Sequence, residues 1–348
     1  MTKPLVVRKG WRMVAPGTLE QFEAPLDLPP PGWVSIEVLG CGACHTDITY
    51  LYGGVAPVMG FPVVLGHEIV GRVLDSGQLV IVPAVSPCGA CRACKRGRAT
   101  ACRASKMPGN HHDGGFASHV NVPERWLCEV QSVPLGLEPW QLAVVADAVT
   151  TPYQAIARSG LGPEDVAIVV GAGGVGGFLV ELAAVRGAFP IAIDVSPARL
   201  EHALSHGAKH ALDARGLDAK SAKREIAAKL ASRGMEPEGW HVFECSGTTS
   251  GQSMAFGLLT RGGTLSVVGF SPETLPIRLS NLMALDADAH GNWGCDPVHY
   301  PKVLELVTAG LIDLSSAVER FPLSEAPAVL AAASRHELTR RPVLVPDA

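Results

Sequence analysis

Cys88, Cys91, Cys94 and Cys102 follow the spacing C-x2-C-x2-C-x7-C within PCGACRACKRGRATAC. Four thiolates complete a tetrahedral zinc shell with no open position, so a metal bound there is structural. Upstream, GCGACHTD carries Cys44 and VLGHEIVG carries His67. A catalytic zinc takes such ligands, but it needs three from the protein and one open position, so a third must come from elsewhere. Zinc as a Lewis acid would lower an alcohol's pKa, and the resulting alkoxide could give a hydride to a nicotinamide. Thr46, two residues beyond Cys44, can hand the released proton onward through its hydroxyl. Asp47 and Glu68 are expected to orient His67 and tune the metal. Taken singly, Cys44 and His67 read as packed core residues; for Asp47 and Glu68 a surface carboxylate in an unrelated ion pair is the rival reading. The neighbouring four-cysteine loop and the nucleotide motif below favour the metal.

Gly171, Gly173 and Gly176 form G-x-G-x-x-G, with Gly174 and Val175 inside the turn, between the strand-like VAIVV and the apolar helix FLVELAAV. Glycines there let the backbone approach a pyrophosphate whose charge sits at the helix N-terminus. Asp194 ends the next apolar run, 23 residues after Gly171. A carboxylate there accepts from adenosine ribose hydroxyls and repels a 2′-phosphate, which favours NAD over NADP. Arg199, one helical turn on, is a candidate to flank the ribose; a solvated surface arginine is the rival reading. A tight glycine turn with no ligand is the bland alternative for the motif, against which stand the strand, helix and acid in order.

These residues need a scaffold. A chain of 348 residues with 47% apolar content is long enough for two domains and too apolar for a disordered one. Residues 1–150 are rich in Gly and Pro with short alternating runs such as WVSIEVLG, which predicts a β-rich domain. Residues 151–292 alternate strands and helices, which predicts a doubly wound parallel α/β sheet of the Rossmann kind. Residues 293–348, with HYPKVLELVTAG and RRPVLVP, are expected to return to the first domain. The net charge of −4 points neither to nucleic acid nor to a membrane surface. No apolar run is long enough to span a bilayer, and MTKPLVVRKG lacks a signal-peptide core, so a cytoplasmic location is expected. Nine cysteines, an odd number in a reducing compartment, argue against a disulfide framework. Cys41, Cys128, Cys245 and Cys295 are read as buried apolar residues. His111, His112, Tyr52 and Trp293 are candidates to line a substrate pocket, with ordinary loop or core roles as rivals.

GCGACHTD, GHEIVG, the four-cysteine loop, DGGFASHV, TTPYQA, GAGGVGG, ECSG and VVGF, in that order, resemble the medium-chain zinc alcohol dehydrogenases along essentially the whole chain. The resemblance implies a GroES-like catalytic domain (1–150 and 293–348) beside the Rossmann domain. It also implies two zinc ions per subunit, NAD, a small alcohol substrate and a homo-oligomer, either dimer or tetramer. In the family the third zinc ligand stands six residues before the Tyr of T-x-Y, which here selects Asp147, where most relatives carry Cys or Glu. The resemblance further places His45 near the cofactor phosphates, Arg341 at the pyrophosphate, and Val268 and Asn292 around the nicotinamide. Relatives with HTD-x-H relay the proton through that last His; here the position is Thr49, so the relay beyond Thr46 departs from the pattern. NHHDGGFASHV and HGNWGCDPVHY look most like the branch oxidising 6-hydroxycyclohex-1-ene-1-carbonyl-CoA in anaerobic aromatic degradation. Arg92, Lys95, Arg96, Arg98, Arg103 and Lys106, with no acid among them, could attract CoA phosphates; a solvated zinc lobe offsetting thiolate charge is the rival account. A general alcohol, polyol or amino-alcohol dehydrogenase shares every motif, and a non-catalytic nucleotide-binding protein is the reading from another class.

Overall fold

Short alternating runs in the first part of the chain form strands β1 (Val7–Ala15), β2 (Thr18–Pro25), β3 (Trp33–Gly42), β4 (Glu68–Val73), β5 (Leu79–Val82), β6 (His119–Pro123) and β7 (Cys128–Glu129). Helix α1 (His45–Tyr52) follows β3, and the four-residue α2 (Arg92–Lys95) lies in the cysteine-rich loop. The computed structural model describes residues 6–347. After α3 (Thr150–Ser159) the texture becomes α/β: β8 (Val166–Val170), α4 (Gly174–Val185), β9 (Phe189–Asp194), α5 (Pro197–Ser205) and β10 (His210–Asp213). Strands β11 (His241–Glu244), β12 (Thr264–Val267) and β13 (Asp288–Gly291) come next, and β14 (Val318–Pro322) and β15 (Arg341–Val345) close the chain.

The contacts partition the chain into one unit of Met1–Thr150 with Gly294–Ala348 and another of Thr151–Trp293. In the first, β1 and β2 form an antiparallel hairpin, and the main sheet runs β14-β15-β3-β4-β5-β7 with β6 also on β3. The chain's last strand therefore sits beside β3, with Leu344 opposite Cys41 and Val343 opposite Gly42. On the other side of β3, Gly42 pairs with Glu68. This register brings three distant segments together at the point where β3 leads into α1. The core beneath is apolar, with Met13, Ile36, Leu65, Ile69, Phe116, Val120 and Leu330 fully buried.

The second unit is a six-stranded sheet, β10-β9-β8-β11-β12-β13, in which every neighbouring pair is parallel. That is the 3-2-1-4-5-6 order of a Rossmann domain. VAIVV and FPIAID are buried at every position, as expected of strands covered on both faces. Among the described residues no helix is long and apolar enough to cross a membrane.

Candidate active site

Cys44 is the N-cap of α1, and the carboxylate three residues on closes a capping box: the Cys44 amide donates to Asp47 Oδ2 at 3.0 Å. Asp47 Oδ1 accepts from the Gly66 amide at 3.0 Å and faces His67 Nδ1 at 3.4 Å. Asp47 is fully buried, so a single carboxylate ties the start of α1 to the entry of β4. His67, immediately before β4, is 1% exposed. Its Nε2 lies 3.6 Å from Asp147 Oδ2, and Cys44 Sγ lies 3.9 Å from the same oxygen. Asp147 caps the 3-10 segment Pro139–Ala146, whose last six residues are buried.

Ligand bonds of about 2.0–2.3 Å place tetrahedral N, O and S donors roughly 3.3–3.6 Å apart. Cys44, His67 and Asp147 thus need to close by only a few tenths of an ångström to hold zinc. Electrostatics point the same way. Burial disfavours the charged form of His67, but the Asp47 and Asp147 carboxylates outweigh it and hold the imidazole well above its ordinary value. A buried site with such an excess of anionic groups suits a cation.

Glu68 also lies within 4.8 Å of this cluster, but its carboxylate is committed elsewhere. Arg341 Nε donates to Oε2 at 2.8 Å and Arg341 Nη2 to Oε1 at 2.6 Å. The Ala148 amide adds a bond to Oε1 at 3.1 Å. A Cβ on Gly42 would stand 2.0 Å from Glu68 Oε2, so only glycine leaves room for this carboxylate. The Glu68 carboxylate is thus bonded to Arg341 and the Ala148 amide, and of the two carboxylates expected beside His67 it is Asp47 that faces the ring, at 3.4 Å. Arg341, expected at the pyrophosphate, is 9% exposed and spends Nε and Nη2 on Glu68. The sequence offers no signal for this pairing because its partners lie 273 residues apart. Tyr300 escaped the sequence reading too. Fully buried, it donates its hydroxyl to the Ala146 carbonyl and accepts from the Ala84 amide at 3.2 Å, fixing the backbone just before Asp147.

Thr46 is half-buried, its Oγ1 3.8 Å from Cys44 Sγ. The Thr49 hydroxyl donates to the His45 carbonyl at 2.8 Å, so it is tied to the α1 backbone rather than extending a relay. His45 is exposed, its ring centroid 5.3 Å from that of His336. Tyr52, at 47% exposure, is not a core residue.

In the loop after β5 the Sγ atoms of Cys91 and Cys94 lie 3.5 Å apart, those of Cys91 and Cys102 3.7 Å, and those of Cys88 and Cys102 3.5 Å. Sulfurs bound tetrahedrally at about 2.3 Å stand about 3.8 Å apart, whereas a disulfide needs about 2.05 Å. The four cysteines fit a closed zinc shell. The amides of Ala90 and Cys91 pull the Cys88 thiol down to about 6, while burial pushes the Cys94 thiol up to about 12. All six basic residues of this lobe are exposed.

In the parallel-sheet unit the glycine turn follows β8. Gly171 has φ +90, and a Cβ there would lie 2.6 Å from the Ser246 backbone, so the turn admits no side chain. Gly174 and Val175 open α4, and Gly176 packs against the Gly171 carbonyl. Asp194 ends β9, buried, and accepts from the Ala172 amide (2.8 Å) and the Ser196 amide (2.8 Å). Arg199 Nη1 is 3.9 Å from Asp194 Oδ2, and the guanidinium lies 3.7 Å from the Cβ position of Gly173. Val268 and Asn292 follow β12 and β13, their amides bonded to the Glu244 and Val267 carbonyls at 2.9 Å each. All stand at the C-terminal ends of parallel strands, where such sheets bind ligands. Trp293 is 52% exposed, and Cys245 is half-buried rather than fully buried.

Residues 30–132 match the alcohol dehydrogenase GroES-like domain and residues 174–309 the zinc-binding dehydrogenase family. The L-galactonate-5-dehydrogenase of Escherichia coli (strain K12) is 28% identical over 86% of this chain and 87% of its own length. A zinc-binding dehydrogenase of Sinorhizobium meliloti 1021, solved with NADP, superposes with TM-score 0.84 and 26% identity over 98% of this chain and 100% of that one. The alcohol dehydrogenase of Thermus sp. ATN1 gives TM-score 0.85 and 27% identity, with coverage of 97% and 100%. With a donor set that accepts a catalytic zinc, a four-thiol shell that accepts a structural one and a Rossmann turn for the nucleotide, the chain belongs to the medium-chain zinc-type alcohol dehydrogenases, NAD-dependent oxidoreductases acting on CH–OH donors.

Proposed function

We propose that this dehydrogenase oxidises a secondary alcohol to a ketone, with Cys44, His67 and Asp147 as the catalytic-zinc ligands and Cys88, Cys91, Cys94 and Cys102 as the structural ones. The observation that carries this reading is the approach of Cys44 Sγ and His67 Nε2 to Asp147 Oδ2, at 3.9 and 3.6 Å. Held by these residues, zinc would supply Lewis acidity and NAD a hydride acceptor. The chain's own residues do the rest. Asp47 holds the His67 ring, and the Glu68–Arg341 pair fastens the last strand beside it. Thr46 Oγ1 takes the hydroxyl proton and, being half-buried, passes it to water without Thr49. Asp194 takes the ribose hydroxyls with Arg199 flanking it, the glycine turn takes the pyrophosphate, and Val268 and Asn292 the carboxamide. His45 lies near the phosphates. We place the enzyme in the cytoplasm as a dimer or tetramer, with neither nucleic acid nor membrane as partner.

The likeness to a sugar-acid dehydrogenase supports a polyhydroxylated substrate. A CoA ester such as 6-hydroxycyclohex-1-ene-1-carbonyl-CoA is a second reading, supported by six exposed cations between Arg92 and Lys106 with no acid among them. The test follows NADH absorbance with L-galactonate, sorbitol, free cyclohexenol and the CoA ester. Turnover abolished in Cys44→Ser, with folding retained, supports the catalytic site; full activity in that variant sinks it. Arg96→Glu with Arg98→Glu raises KM for the ester alone if the lobe binds CoA, and an unchanged KM removes that reading.

A further inference from the structure

Helix α4 carries a single charged residue, Glu181, and it is 5% exposed. A buried carboxylate is costly unless a cation or strong donors face it. Facing Glu181 is the end of α5, where His202 and His206 stand four residues apart on one helical face. One ligand atom from each of the three residues lies within 4.8 Å of the others. The two rings are stacked, centroids 3.9 Å apart.

The tautomer of His206 follows from its neighbours. Its Nδ1 lies 2.8 Å from the His202 carbonyl oxygen, and a carbonyl only accepts, so Nδ1 carries the proton and Nε2 the lone pair. Metal-ligating imidazoles are held in this way, with the second nitrogen fixed by a carbonyl or carboxylate. The Ser205 hydroxyl, which donates to the same carbonyl at 2.8 Å, lies 2.9 Å from Nδ1 and steadies the ring. His202 sits in the last turn of α5 and His206 is its C-cap; the helix dipole favours a cation there. The helix ends also approach closely: a Cβ on Gly207 would lie 2.7 Å from Ala184 Cβ.

We propose that Glu181, His202 and His206 bind a divalent transition-metal ion, zinc foremost, which staples α4 to α5. Two imidazoles and a carboxylate are donors that zinc accepts at about 2.0–2.2 Å, with water completing the shell. Both histidines are half-buried, so the ion can enter from solvent. Glu181 lies seven residues into α4 from Gly174, about 10 Å along the axis from the glycine turn. The ion therefore does no chemistry on the nicotinamide; it braces the helix that begins at the cofactor turn.

Equilibrium dialysis of the zinc-saturated holoenzyme against zinc, followed by metal analysis, tests this. The wild type is expected to hold one zinc more per chain than His202→Gln/His206→Gln. Equal zinc content overturns the proposal and leaves an ordinary His–Glu contact. A second measurement uses cobalt added to the zinc-loaded protein. The extra equivalent is expected to show weak d–d bands without the thiolate-to-cobalt charge transfer of a cysteine site, and Glu181→Gln is expected to weaken its binding. A thiolate band on the extra equivalent, or undiminished binding by Glu181→Gln, also overturns the proposal.

Discussion

Replacing Arg341 by Met removes the guanidinium that closes on Glu68. The pair has side-chain exposures of 7% and 0% and two charge-assisted bonds, at 2.8 and 2.6 Å. Burial pushes the Glu68 carboxyl up while Arg341 pulls it back, so the variant strands a buried carboxylate that keeps the Ala148 amide bond but loses both bonds to the guanidinium. Removing one partner of a buried ion pair costs about 3–5 kcal/mol, mostly the penalty of the charge left behind. In a unit of roughly 200 residues, 1 kcal/mol moves Tm by about 2–4 °C, so the fall is about 6–20 °C. Glu68→Gln/Arg341→Met holds no unpaired charge and is expected to be more stable than Arg341→Met alone, with a coupling of about 2 kcal/mol or more. The assay is thermal and urea unfolding of the zinc-saturated protein across the four members of the cycle. Additive single effects, or a cost below about 1 kcal/mol for Arg341→Met, would refute the reasoning. Unchanged stability with a raised KM for NAD would instead return Arg341 to the pyrophosphate role expected from sequence.

Thr46→Val is expected to lower kcat by about 10²–10⁴-fold, the usual worth of a positioned proton acceptor, whereas Thr46→Ser retains most activity; steady-state kinetics decide. Cys102→Ser should release one zinc and loosen the lobe, so that trypsin cuts between Arg92 and Lys106 in the variant and spares the wild type; equal cleavage rates would count against a closed thiolate shell. Burial pushes the His112 imidazole down to about 4 from 6.5, its Nε2 buried without a hydrogen bond among the described residues. The unfolded chain therefore takes up this proton first. The contribution is whole above pH 6.5 and falls away towards pH 4, by about 1–2 kcal/mol after allowing for the ring's partial exposure. His112→Gln should flatten the melting profile across that window, and an unaltered profile would show that the ring is hydrated when folded.

The parts legible in the sequence are those whose physics is local. The glycine turn, the strand before it and the helix after it lie in one short run, and burial of VAIVV on both faces follows from its unbroken apolar character. The structural cysteines likewise fall within a single loop, so their spacing alone implies a closed shell. Cys44 and His67 are recognisable as ligand types, but residue spacing left the third ligand open; Asp147 came from a family resemblance.

Tertiary structure decided the partners. Cys44 and Asp147 are 103 residues apart, Glu68 and Ala148 80, and Glu68 and Arg341 273. No helical or strand period links such positions. Glu68 and Arg341 meet because β3 pairs with β4 on one side and β15 on the other, in a register that sets Gly42 opposite both Glu68 and Val343; Asp147 and Ala148 are brought in by the buried 3-10 segment before them. The same holds for Glu181 and the two histidines, which share no motif and meet only where α4 packs on α5. A sequence determines by itself which residues can do chemistry and where the chain turns, because propensities and short spacings act over a few residues. Which carboxylate faces the His67 ring, and which is spent on an arginine, depends on sheet register, and register is fixed by the packing of the whole unit.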